Sequence, residues 1–251
     1  MRRGKKHPHG KARSALLVAM ITLLCFSATL IAADLLSGRS GIAEYAALFT
    51  NAKKGSSLMT YYAVYASSSE DMGISYKNAA VIRAEGGAGY VMKEGDIYYV
   101  VLNLYQERGD AESVAARSAS YGIREISFPP FDLSKAKSLA SAEGSKNLYE
   151  EAYLTLYQAA NNLASDKYGA EDFRRDLLKT KEEIAATESA YAESIRGKEE
   201  TVTIEYKVLL SEIRSAFDNL TQSEDHLVSD ARYYSVMIVH AYALFSRKYF
   251  S

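Results

Sequence analysis

The pattern of apolar and polar positions divides the chain into an apolar amino-terminal segment, a strand-rich middle and a long helical remainder. From Ala15 to Ala33, nineteen successive residues carry no charge. At a rise of about 1.5 Å per residue they would span about 28 Å, close to the ~30 Å hydrocarbon core of a bilayer. The pattern therefore predicts a transmembrane anchor over residues 15–36. A basic leader, residues 1–14, precedes this segment, and a juxtamembrane linker, residues 37–58, follows it.

The charges around the apolar segment predict its orientation. The leader carries six basic residues and no acid, and basic flanks are retained in the cytoplasm. We therefore expect a single-pass membrane protein with its amino end inside the cell and its bulk outside the cytoplasm. A cleaved secretory signal is the alternative, with Ile31-Ala-Ala33 as a mediocre cleavage site. The only cysteine, Cys25, lies within the apolar segment, which excludes an intramolecular disulfide.

Between residues 59 and 128 the sequence alternates short β-branched and aromatic runs with helical stretches. Gly86–Gly89 and Glu94–Asp96 are typical of turns. The resulting order, β-α-β-β-α-β, is that of a ferredoxin-like split β-α-β sheet. The predicted elements are strand Tyr61–Ala66, helix Met72–Glu85, strand Tyr90–Met92, strand Ile97–Tyr105, helix Ala111–Ser120 with Asp110 as its N-cap, and strand Ile123–Phe128.

After Pro129-Pro130 the pattern is helical throughout, and residues 131–251 contain no further proline. Apolar residues recur at helical spacing, which predicts an antiparallel bundle of three or four helices. The last of them, Leu227–Phe250, contains an uncharged run of fourteen residues, a length typical of a buried core helix. The predicted fold class is thus α+β: a transmembrane helix, a ferredoxin-like domain over residues 59–128, and an all-α bundle over residues 131–251.

Charge and composition exclude several function classes. Without the six basic residues of the leader, 24 basic and 31 acidic residues remain, a formal charge of about −7. Nucleic-acid binders usually carry a basic footprint, so that class is disfavoured. The four histidines and single cysteine show no metal-ligand spacing, and no nucleophile elbow or phosphate-binding loop is present. We therefore expect no enzyme activity, no catalytic residues, no bound metal and no cofactor.

Several segments of the middle region are similar to a known family. Tyr98–Tyr105, followed by Gly109–Arg117, matches a strand, a small-residue turn and an A-x-x-x-A helix, and Tyr62–Ala66 with Asn78-Ala79 partly echoes this in the first half. In element order and half-repeats, residues 59–128 resemble a SPOR domain, the sporulation-related repeat of bacterial cell-envelope proteins. The resemblance implies a role in cell division or sporulation. It also implies binding to septal peptidoglycan glycan strands, on the sheet face opposite the helices.

Strict strand alternation places one set of residues on that face and another set towards the helices. The sequence departs from the family on the binding face, since Val64 stands where a glutamine is common, and Tyr99 and Val101 stand where a basic residue is common. The residues expected on the glycan- or partner-binding face are Tyr62, Val64, Tyr99, Val101 and Asn103; those expected towards the helices are Ala63, Tyr65, Val100 and Leu102.

Two interpretations of this apolar face remain open. Its tyrosines are suited to stacking on sugars, because they combine a flat apolar body with a polar rim. Its valines are equally suited to burial beneath a covering element. The first interpretation predicts a membrane-anchored envelope protein that binds peptidoglycan glycan or a division or sporulation partner. The second predicts a scaffold in which a degenerate SPOR-like module packs on the bundle, and the bundle binds another membrane protein.

Overall fold

The computed structural model describes residues 58–251, and the element order within this range is β-α-β-β-α-β followed by helices. The α+β class and the predicted order of elements are confirmed. The predicted leader and anchor, and the linker up to residue 57, lie outside the described residues. Among the helices of residues 58–251, none is both long enough and apolar enough to cross a bilayer.

Four antiparallel strands form the sheet, in the order β2-β3-β1-β4. This is the order of a split β-α-β arrangement, because each helical crossover passes over a strand that lies between its two ends. A two-residue turn joins β2 to β3, and Gly95 occupies the left-handed region there with φ 59°. The strands are β1 (Met59–Ser69), β2 (Tyr90–Glu94), β3 (Ile97–Tyr105) and β4 (Gly122–Phe128).

Two helices, α1 (Met72–Ala84) and α2 (Arg108–Ala115), cover one face of the sheet. Asp71 caps α1, since its carboxylate accepts a hydrogen bond from the Ile74 amide. The predicted cap of α2 is wrong, because the helix begins before Asp110. Glu107 is its N-cap, and Asp110 lies in its first turn, where a negative charge interacts favourably with the helix dipole.

The carboxy-terminal half forms a four-helix bundle preceded by a short 3-10 helix that the sequence pattern did not indicate. Each long helix packs against two others, so the four close into a ring in the order α3, α4, α5, α6. These elements are the 3-10 helix Lys137–Ser145, α3 (Leu148–Ala164), α4 (Ala170–Ser194), α5 (Thr201–Gln222) and α6 (Leu227–Phe250).

The last helix, α6, lies between the sheet and the rest of the bundle. It packs against α3 and α5 and also against β2, β3 and β4. This position explains its apolar character, because it is buried from two directions. The predicted start at Leu227 is confirmed, but Ser223-Glu-Asp225, whose residue types favour an N-terminal cap, lies before the N-cap position. His226 stands at the N-cap with φ 60° and makes no side-chain capping hydrogen bond.

Candidate functional site

The five residues predicted to share one binding face are divided between both faces of the sheet. Tyr99 and Val101 belong to the large core that the sheet shares with the bundle. Tyr62 and Val64 pack instead with Ala111 of α2, in a second cluster. Asn103 points to the same side, since its amide nitrogen donates to the Tyr105 hydroxyl at 3.1 Å and Tyr105 belongs to that second cluster. The expected common face is therefore wrong.

Two irregularities in the pairing of β1 with β3 cause this division. Val64 pairs with Asn103, but the next residue, Tyr65, pairs with Val101, so Leu102 has no partner on β1. Such a bulge shifts the alternation by one residue, which sends Asn103 to the opposite face from Val101. A second shift follows between Tyr65 and Ser67. Strict alternation cannot anticipate a bulge. It also reversed the two faces of β1, because Tyr62 and Val64 lie towards the helices and Ala63 lies on the face of the bundle.

The sheet face away from α1 and α2 is covered by aromatic side chains of the bundle. The Tyr61 ring lies parallel to that of Phe128, with centroids 6.0 Å apart, and the edge of the Tyr153 ring meets it at 5.1 Å. Beyond them, the rings of Tyr149 and Tyr242 stack at 3.7 Å. Tyr61, Val101 and Tyr153 expose 2 % of their surface or less. The rings on this face therefore contact other rings and present no flat surface to a sugar.

Burial keeps the phenol groups of this interface uncharged, and one of them donates a hydrogen bond to the backbone. The Tyr153 hydroxyl donates to the Leu104 carbonyl at 3.1 Å, which ties α3 to β3. Burial raises the pKa of Tyr153 well above its usual value, and the same cause raises the pKa of Tyr242. The Tyr242 hydroxyl has no hydrogen-bond partner among the described residues. The Tyr61 hydroxyl at the same interface also lacks a partner among these residues, so the interface is a packing surface with two unsatisfied hydroxyls.

Charged side chains make three of the polar contacts that fasten α6 to the β-α-β-β-α-β part, and the sequence analysis identified none of the three. The Arg232 guanidinium donates to the Gly86 carbonyl at 2.8 Å, and that of Arg247 donates to the Ser127 carbonyl, also at 2.8 Å. Asp230 accepts from Arg83 at 2.8 Å. The only signal in the sequence was the placement of arginines within an otherwise apolar helix.

Around Tyr99 the sheet carries a small aromatic and charged cluster. Tyr65 and Tyr99 meet edge to face at 5.1 Å, and the Arg124 guanidinium lies 5.3 Å from the centre of the Tyr99 ring. Arg124 also forms an ion pair with Glu94 across the sheet. Tyr99 is only 9 % exposed, so little of its ring is open to a ligand. It is the only residue of the predicted binding face in this cluster.

A more open feature is an elongated groove of about 550 Å³, which we call the α5–α6 groove. Its lining includes the small residues Ser215, Ala216 and Ala241, together with Val208 and Leu244, which are about half exposed. The remaining lining residues are Tyr90, Ser211, Glu212, Asn219, Tyr234, Met237 and His240. A largely apolar groove that small residues line is suited to binding a helix.

At the sheet end of this groove, Tyr90 meets His240. The Tyr90 hydroxyl and the Nδ1 atom of His240 are 3.0 Å apart, and the two rings meet edge to face at 5.7 Å. Burial raises the pKa of Tyr90 to about 12, with smaller contributions from Tyr233, Glu212 and Tyr76. Burial and the charge of Arg247 lower the pKa of His240, which favours the neutral ring. The pair therefore forms a neutral, fixed wall of the groove.

Within residues 58–251, no group of three or more histidine, cysteine or acidic side chains is placed to hold a metal ion. Comparison with protein-family models, with curated proteins and with solved structures finds no match to this chain. The resemblance to a SPOR domain therefore stays a prediction from the residues quoted above.

Proposed function

We propose that this protein is a non-enzymatic, membrane-anchored scaffold of the bacterial cell envelope. In this proposal the β-α-β-β-α-β part is a SPOR-like module that supports the helices, and the bundle binds another membrane protein. The observation that carries it is the burial of the sheet face on which glycan binding was expected. Tyr61, Val101 and Phe128 are fully enclosed there by α3 and α6.

The energetic argument favours a permanent cover. Leaving a large aromatic or aliphatic side chain exposed costs roughly 1.5–3 kcal/mol relative to burying it. Lifting the bundle from the sheet would expose several such side chains and would also break the contacts that Arg232 and Arg247 make with Gly86 and Ser127. A glycan strand would have to compensate for all of these losses to reach the sheet face. A site that opens at such a cost is a poor ligand-binding surface.

A binding assay with the full chain separates this proposal from glycan binding. Purified protein is incubated with amidase-treated sacculi, whose glycan strands lack peptides, and with untreated sacculi. We expect equal, low binding to both, because the sheet face is occupied. Clear enrichment on the treated sacculi would overturn the scaffold proposal and favour a glycan-binding protein.

The location is tested separately with the same chain in living cells. Protease added to intact spheroplasts is expected to digest residues 58–251, together with a known exported control protein. Protection of these residues while the control is cut would contradict the proposed anchor and orientation.

A further inference from the structure

Exposed apolar side chains are concentrated on two neighbouring surfaces of the described residues. Of the ten large hydrophobic side chains that are strongly exposed, four lie on α1 and three lie along α5 and α6, so these two surfaces hold most of the unpartnered apolar area. The first, which we call the α1 face, comprises Met72, Ile74, Tyr76 and Val81, each 52–60 % exposed. The second is the α5–α6 groove, with Val208 and Leu244 on its walls and Ile204 one turn before Val208.

We propose that the α1 face of one copy of this chain docks into the α5–α6 groove of a second copy. The first surface is the exposed side of a helix, and the second is a groove of about 550 Å³ lined by two helices and Tyr90. Their lengths agree. The thirteen residues of α1 extend about 20 Å, and the stretch of α6 from Tyr234 to Leu244 that lines the groove extends about 15 Å.

One charge on each surface gives the pairing its register. At about 3.6 residues per turn, Met72 and Tyr76 lie on one side of the exposed surface of α1, and Ile74 and Val81 lie on the other. Lys77 lies between these two pairs. Glu212 is the one charged residue among those that line the groove. Both side chains are exposed, and neither forms an ion pair within residues 58–251. An interface between the two surfaces would bring these opposite charges together and bury the apolar residues around them.

The two surfaces lie side by side on one molecule, which predicts a closed dimer. Arg83 at the end of α1 pairs with Asp230 and lies 4.7 Å from the centre of the Tyr233 ring on α6. Tyr90 lines the groove, and Tyr76 of the α1 face is near enough to contribute to its raised pKa. A twofold axis can therefore place each α1 in the groove of the other copy at the same time. Such an isologous contact doubles the buried area and leaves no free surface for further growth.

Charge reversal provides the test, on the purified full chain in a non-ionic detergent. Sedimentation equilibrium is expected to give a concentration-dependent dimer for the unmodified protein. Lys77→Glu and Glu212→Lys are each expected to weaken the dimer about tenfold or more, equivalent to about 1.4 kcal/mol, because each places like charges opposite each other twice. Both positions are exposed, so circular dichroism spectra should be unchanged. Lys198→Glu, an exposed reversal between α4 and α5 outside the groove lining, is the matched control and should leave the dimer intact.

Mixing the two variants is the decisive measurement. In a mixed pair, one contact has both charges reversed and the other has the natural charges, so attraction is restored at both sites. We expect the mixture to regain dimers at the affinity of the unmodified protein, although each variant alone does not. A monomer at every concentration, single variants that associate normally, or a mixture without rescue would overturn the proposal. Assemblies larger than two copies would overturn the twofold arrangement. Self-association is measured without a partner or glycan, so its failure leaves the proposed scaffold function untouched.

Discussion

Two buried tyrosines allow one chemical change to be tested with opposite expected signs. Tyr153 and Tyr242 are each 1 % exposed, but only the Tyr153 hydroxyl has an acceptor, the Leu104 carbonyl at 3.1 Å. Tyr153→Phe removes that hydrogen bond and is expected to lower the free energy of unfolding by about 1 kcal/mol. Tyr242→Phe removes a hydroxyl that burial has deprived of water and that has no partner among the described residues. It is expected to leave the stability unchanged or to raise it by about 1 kcal/mol.

Urea unfolding of the full chain, followed by far-ultraviolet circular dichroism, measures both variants. The chain has no tryptophan and twenty tyrosines, so loss of one hydroxyl will not distort a backbone signal. In thermal unfolding, 1 kcal/mol corresponds to about 2–4 °C for a domain of this size. Equal destabilisation by both changes would refute the reasoning, because it would mean that the Tyr242 hydroxyl is satisfied in solution.

Three further predictions concern the backbone, the pH dependence and the covering bundle. Gly89→Ala should cost more stability than Gly95→Ala in the same unfolding assay, since both residues have positive φ but only the new Cβ at position 89 meets the Ala79 carbonyl oxygen. Because burial lowers the pKa of His240, the unfolded chain binds more protons below about pH 6.5, and stability should fall as the pH is lowered from 7 to 5.5. His240→Gln should reduce this loss of stability with falling pH, whereas His226→Gln, an exposed control, should not. An equal pH dependence in both variants would contradict the role given to His240. Removing residues 131–251 should leave an aggregating fragment in size-exclusion chromatography, because the sheet then exposes its apolar face; a soluble monomer would show that the bundle is not needed.

The sequence was informative where local patterns determine structure. The run Ile97–Tyr105 reads as a strand because β-branched and aromatic residues favour the pleated backbone, and it is the β3 strand of the sheet. The helices after Pro130 follow from apolar residues at helical spacing, and α6 begins at the predicted Leu227. Helix caps were less predictable. The N-cap of α2 is Glu107, a residue type with a weak preference for that position, and not the predicted Asp110.

The candidate site could not be predicted in the same way, because it depends on long-range pairing. The register shift at Leu102 places Val101 and Asn103 on different faces, and no local pattern in β3 marks it. The α5–α6 groove depends on how α5 and α6 pack against each other. The small residues Ser215 and Ala241 are compatible with this packing but do not specify it. The arginines that fasten α6 resemble ordinary surface charges in the sequence, and only the fold shows that Arg247 reaches the Ser127 carbonyl.

The position of α6 between sheet and bundle has a consequence for the order of events during synthesis. The ribosome makes β1 to β4 and α3 long before residues 227–250, so the aromatic side of the sheet lacks the part of its cover that α6 supplies until that helix has been made. A nascent chain in this state has an open apolar surface and depends on contacts of high sequence separation for its completion. We expect the core to close only after residues 227–250 have left the ribosome, and we expect a chaperone to hold the chain until α6 is in place.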